Sequence, residues 1–187
     1  ALFLGEAQTV AAQAGGVAIL DSAATGMPLR TATADPLRLL HLSCHAYFHP
    51  GDALSSGVLL AGENGGAAVY TARQFMEQQL PAELVTLSAC QGAISGSLGG
   101  DEMAGLSMAL LTAGGRSLLL GLWSVESVTT AALMHDFYRR LWHSGKATPP
   151  SKAEALRQTM LALRRGDLQD TIETLFAEVL AGLPPKD

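Results

Sequence analysis

Two apolar runs constrain this chain most, and each stops at a chemically capable residue. Leu39-Leu40-His41-Leu42-Ser43-Cys44 leads into His45, and Leu84-Val85-Thr86-Leu87-Ser88-Ala89 leads into Cys90. A strand buried on both faces reads as a continuous hydrophobic run, and such strands belong to parallel sheets. Open parallel sheets carry their chemistry where the strands end. If the two runs are neighbours, an imidazole lies beside a thiol at one sheet edge, the arrangement a cysteine nucleophile requires.

The rest of the chain alternates in the same style. Leu2 to Leu4 is a short apolar run, with a small-residue helix following from Glu6 to Ala14, and Val17 to Leu20 is another apolar run. Residues 21–36, rich in Ala, Thr, Gly and Pro, read as loop. Strands are predicted over 37–44, 57–61, 84–89 and 117–123. Gly62-Glu63-Asn64-Gly65-Gly66 is turn chemistry, and the four glycines between Gly92 and Gly100 mark a loop. Thr71 is a candidate N-cap for a helix over 72–79. A helix opening at Asp101 is stopped by Gly114-Gly115. Further helices are predicted over 127–143, 151–165 and 171–180. Strand and helix in alternation with short links is an α/β layered sheet, mostly parallel.

Composition excludes several function classes. The formal charge of −5 and the scattered basic residues argue against binding a phosphate backbone, so no nucleic-acid partner is expected. Two cysteines in 187 residues are no disulfide framework, which points to a reducing cytoplasm. No apolar span approaches the roughly 20 residues that a membrane helix needs. Hydrophobic residues make up 48% and charged residues 16%, leaving a large interior whose surface suits covering by another domain or chain. The chain opens on Ala1 rather than Met, as a segment of a longer protein would.

Residue type alone leaves the chemistry open. Cys90 reads equally as a small buried hydrophobe, and His45 as a hydrogen-bonded histidine at a strand end. Cys44, His45, His49 and Cys90 form the one soft-ligand set for a metal, but neighbours on a strand point to opposite faces and no CxxC pair exists. No metal and no cofactor are therefore expected. Cys44 is read as core, His41 as a hydrogen-bonded interior position, and His135 and His143 as surface or packing residues.

The order of motifs resembles one family. Leu40-His41-Leu42-Ser43-Cys44-His45-Ala46, Val69-Tyr70-Thr71-Ala72-Arg73-Gln74-Phe75 and Leu84 to Gly92 are similar, in that order, to the CHAT family of caspase-related cysteine peptidases. Gly100 to Gly115, Ser117 to Val125, the helix from Thr130 to Trp142 and the helix from Ser151 to Leu163 continue the likeness. The resemblance implies a caspase-like three-layer α/β sandwich over 1–187, its N-terminal unit missing or altered and 167–187 an atypical helical tail. It implies a cysteine endopeptidase with His45 as general base and Cys90 as nucleophile. The backbone N–H groups of Ala46 and Cys90 would form the oxyanion hole, and Trp123, Ser124, Val125 and Glu126 would contact substrate. Asp101 and Glu102 are further acidic candidates. It also implies a bacterial signalling or defence role, a helical-repeat neighbour or activating protein partner, and latency until that partner acts. Ala46 stands where the family usually has Gly, and Gln91-Gly92-Ala93 and Ser124-Val125-Glu126-Ser127 also depart from its pattern. A catalytically silent interaction module and a non-proteolytic cysteine hydrolase are the alternatives.

Overall fold

A computed structural model describes residues 2–31, 37–89, 100–121, 127–143, 145 and 148–181. In chain order its elements are α1 (Leu2–Ala14), α2 (Met27–Thr31), β1 (Leu40–Ser43), β2 (Ala46–Tyr47), β3 (Gly57–Ala61), β4 (Ala67–Thr71), α3 (Ala72–Met76), β5 (Val85–Ser88), α4 (Gly100–Thr112), β6 (Leu118–Leu120), α5 (Ser127–Trp142), α6 (Lys152–Arg165) and α7 (Gln169–Ala181). They fall into two compact units, Ile19–Ser124 and the pair of segments Ala1–Ala18 and Val125–Asp187.

The first of these units is built on the predicted parallel sheet, with strand order β1-β5-β6. Every residue of β5 is buried, as the continuous run Val85-Thr86-Leu87-Ser88 requires of a strand hydrogen-bonded on both edges. Leu40 faces Val85 and Ser43 faces Ser88, while Val85 faces Leu118 on the other side. Phe75, Leu80, Leu106 and Leu110 join Val85 and Leu87 in one apolar core. The 37–44 strand is shorter than expected: β1 spans Leu40–Ser43, and Leu37 forms only an isolated bridge to Ala82. Within the expected 117–123 strand, β6 spans Leu118–Leu120, and residues 122–123 lie outside the described residues.

A second, antiparallel sheet of order β2-β3-β4 was not foreseen. Its hairpin pairs Gly57 with Thr71 and Ala61 with Ala67 around the Gly62–Gly66 turn. Thr71 then ends β4 and caps α3. Its Oγ1 accepts from the Gln74 N–H while Gln74 Oε1 accepts from the Thr71 N–H, a reciprocal box that satisfies two otherwise orphaned donors. α3 stops at Met76 rather than at Gln79. The expected loop over 21–36 contains a short helix, α2. Pro28 in its first turn pre-sets a helical φ, Thr25 Oγ1 accepts from the Met27 N–H at 3.2 Å, and Leu29 anchors it in the core. At the foreseen stop of α4, Gly114 adopts φ +113°, a conformation that side chains resist.

Gly57 marks the tightest point of the hairpin. A Cβ there would lie 2.1 Å from the Tyr70 carbonyl oxygen and 2.7 Å from the Thr71 Cα, both backbone atoms of the paired strand. Neither can retreat without opening the ladder. Gly57→Ala is therefore expected to cost at least about 1–3 kcal/mol, read as a lowered urea midpoint at unchanged slope.

In the other unit, α5 packs against α1, α6 and α7. Phe137, Tyr138 and Leu141 are buried, and Trp142 stacks on Tyr138 with ring centroids 4.8 Å apart. His143 Nε2 donates to the Gln13 carbonyl at 2.9 Å, tying α5 to α1. α6 opens on Ser151, whose Oγ accepts from the Glu154 N–H, and closes at Gly166 with φ +81°. The helix predicted over 171–180 is α7, starting two residues earlier. No helix among the described residues is long and apolar enough to cross a membrane.

Candidate active site

His45 is the second of the two residues, Cys44 and His45, that join β1 to β2, at the end of the parallel sheet that the sequence indicated. Its side chain is solvent-exposed, so a substrate can reach the ring. The backbone on either side is fixed by two different sheets. The Cys44 N–H donates to the Ser88 carbonyl at 3.3 Å and extends the β1–β5 ladder, whereas the His45 carbonyl accepts from the Leu59 N–H of β3 at 2.8 Å. His45 is thus carried at the point where the chain leaves the parallel sheet and joins the antiparallel one.

That second bond also sets the direction of the next donor. A trans peptide carries its C=O and N–H on opposite edges of one plane. With the His45 carbonyl turned towards Leu59, the Ala46 N–H of the same plane points away from β3. The ladder agrees, because Ala46 faces Val58 as the pair flanked by, rather than making, the inter-strand bonds. Ala46 itself is buried, and the order β2-β3-β4 leaves β2 at an edge of its sheet.

Around this point, Cys44 packs against the apolar core, as expected of it, and His41 is half-buried in β1. Beyond β2, the His49 N–H donates to Ser56 Oγ at 2.9 Å, and Tyr47 and His49 meet edge to face with centroids 6.4 Å apart. Asp52 closes the same loop. The Ser55 hydroxyl at 2.6 Å, with the N–H groups of Leu54 and Ser55, holds its carboxyl below the usual carboxylate range, against the opposing effect of burial. No group of three or more His, Cys, Asp or Glu residues among the described ones could hold a metal ion.

Cys90 and the four proposed substrate contacts, Trp123, Ser124, Val125 and Glu126, lie outside the described residues, as do the side chains of Asp101 and Glu102. What is described is the ladder leading to Cys90. Ser43 and Ser88 are register partners, and His45 and Cys90 follow them by the same two residues. The contribution of β3 was missed from sequence. Its signal was Asn64-Gly65 within a turn flanked by Gly57 to Ala61 and Ala67 to Tyr70, which is a hairpin signature.

With this geometry in place, the comparisons are specific. The model of the CHAT domain family matches residues 3–178. A stretch of 89 residues, 48% of the chain, is 33% identical to Tetratricopeptide repeat protein 28 of Mus musculus, and spans 4% of that protein.

Proposed function

The chain belongs to the CHAT-domain family, and from that premise we propose that it is a cysteine endopeptidase working through His45 and Cys90. One observation carries the reading: β1 and β5 are adjacent parallel strands in a register that gives His45 and Cys90 the same offset from a paired Ser43 and Ser88. In this mechanism His45 takes the Cys90 proton and the thiolate attacks the scissile carbonyl carbon. The oxyanion accepts from the Ala46 and Cys90 N–H groups. Imidazolium then protonates the leaving amine, and water hydrolyses the acyl-enzyme to release the acid and the free thiol. An unassisted thiol near pKa 8.5 is little ionised at neutral pH, which is why the adjacent base matters.

The proposal extends to the substrate and the setting. Residues 1–187 form one caspase-like α/β sandwich domain in this reading. Gly121 to Val125 follow β6 and would pair with an extended substrate as an added strand, with Trp123, Ser124, Val125 and Glu126 shaping the pocket. The relative's name carries tetratricopeptide repeats, which favours a helical-repeat array as the adjoining or activating partner. Latency until that partner acts, in a cytoplasmic setting, completes the reading.

The test compares cleavage sites in a proteome exposed to wild type and to Cys90→Ala, alongside labelling by an electrophilic peptide probe. New termini in the wild-type digest alone, together with probe attached at Cys90, are expected. Cleavage that survives Cys90→Ala overturns the mechanism, and a Cys90 that never reacts with the probe identifies a silent binding module.

A further inference from the structure

We infer that Leu59, through its backbone N–H, is the positioning residue of the oxyanion hole. This rests on the dyad reading above and names a part of the site that no catalytic motif contains. The Leu59 N–H lies 2.8 Å from the His45 carbonyl oxygen, and that carbonyl shares a rigid plane with the Ala46 N–H. Rotating the plane about its Cα–Cα axis would swing the Ala46 donor away from the oxyanion without moving either residue's Cα far. In the described ladder the Leu59 bond is what holds the plane at its carbonyl edge. Donation into that carbonyl also polarises the peptide unit and strengthens its N–H as a donor.

The surroundings make β3 a firm anchor. Val58, fully buried, faces Ala46 on one side and Tyr70 on the other. Gly57 admits no Cβ, so β3 sits hard against β4. At the far end the Ala61 N–H donates to the Ala24 carbonyl at 2.9 Å, and Arg30 of α2 forms an ion pair with Glu63 in the hairpin turn. Ala46 gives this anchor particular work. A glycine there could find the required plane over a wide range of φ and ψ, whereas alanine has fewer routes to it and gains more from being held.

The decisive variant replaces Leu59 by its α-hydroxy analogue, so that an ester oxygen stands where the N–H was and the side chain is unchanged. The control places the same change at Leu60, whose N–H faces β4 in the alternating ladder. Four quantities are read on folded protein: kcat and KM for a cleaved peptide, affinity for a peptide aldehyde, and the rate of Cys90 alkylation by iodoacetamide, resolved from Cys44 by mass spectrometry. The aldehyde forms a tetrahedral adduct with an oxyanion, and alkylation needs none.

At Leu59 the change is expected to lower kcat and aldehyde affinity by about 10- to 100-fold, with KM and the alkylation rate unchanged. At Leu60 all of them stay within about twofold. Equal losses at the two positions, or parallel loss of alkylation at Leu59, overturn the inference, because a merely structural bond would give either. If Leu59 carrying the ester does not fold, Val58→Ala loosens the same pair from the side-chain face and is expected to give the same split. Failure of the dyad reading has a separate signature: wild type and His45→Ala alkylate equally fast at neutral pH.

Discussion

His45→Ala is expected to lower kcat/KM at pH 7 by about 10²- to 10⁴-fold, the usual worth of a positioned general base. Cys90→Ala should remove activity down to the control without enzyme, since the proposed acyl intermediate forms on the Cys90 sulfur. The double variant should be no slower than Cys90→Ala, because groups that act as one unit do not contribute additively. The pH dependence separates a base from a bystander. Without His45 the thiolate fraction is set by the thiol itself, near pKa 8.5, and rises with pH up to that value. The deficit of His45→Ala should therefore be greatest near pH 6–7 and shrink towards pH 9. Progress curves for one peptide substrate across that range check it, and a deficit independent of pH would place His45 outside the proton transfer.

The parts of this site that were legible in sequence are those whose signal lies within one short segment. β1 and β5 announce themselves as apolar runs, β5 being buried throughout and β1 half-buried around a buried Leu42, and β3 matches its expected span from Gly57 to Ala61. The Thr71 cap and the Gly114 stop are local chemistry, so they too were readable. β4 was not, because its exposed opening residues Ala67 and Ala68 carry little strand preference of their own and are ordered by pairing with β3. β2 is two residues long and has no period to detect. α2 was hidden by Pro28 and Gly26, which as isolated residues read as loop but here form a helix start. Leu59 could not have been singled out by residue type, since its proposed role uses an N–H that nearly every residue owns. His45 has a side-chain identity; the bond that aims the neighbouring donor has none.

The second unit holds a similar case, and the second large expected effect. Asp136 on α5 is 2% exposed and accepts from Arg139 and Arg140, each at 2.5 Å, and from the Thr159 hydroxyl of α6 at 3.0 Å. Burial would raise the pKa of its carboxyl, but the hydrogen bonds from the two arginines and Thr159 outweigh it and hold the group below its ordinary value. The arginines reach solvent, with side chains 49% and 26% exposed, so leaving them unpaired costs little. Thr159 is fully buried and has no such escape. Asp136→Ala loses a charge-assisted bond across two helices and orphans that hydroxyl, together about 3 kcal/mol. Thr159→Val removes one donor and leaves the carboxylate its arginines, for about 1.5 kcal/mol, and Arg139→Ala should cost under about 1 kcal/mol. Urea unfolding followed by tryptophan fluorescence, with Trp142 stacked on Tyr138, ranks the three. The pH dependence follows from the sign of the shift. A carboxyl whose folded pKa lies below its unfolded value, near 3.9, stabilises fully above that value and loses the contribution as pH falls through the folded pKa. The gap between wild type and Asp136→Ala should accordingly hold from pH 7 to about 5 and close below about 4. A gap that widens on acidification would mean that Asp136 is protonated in the folded protein, and that the α5–α6 contact is held by a neutral hydrogen bond instead of an ionic one.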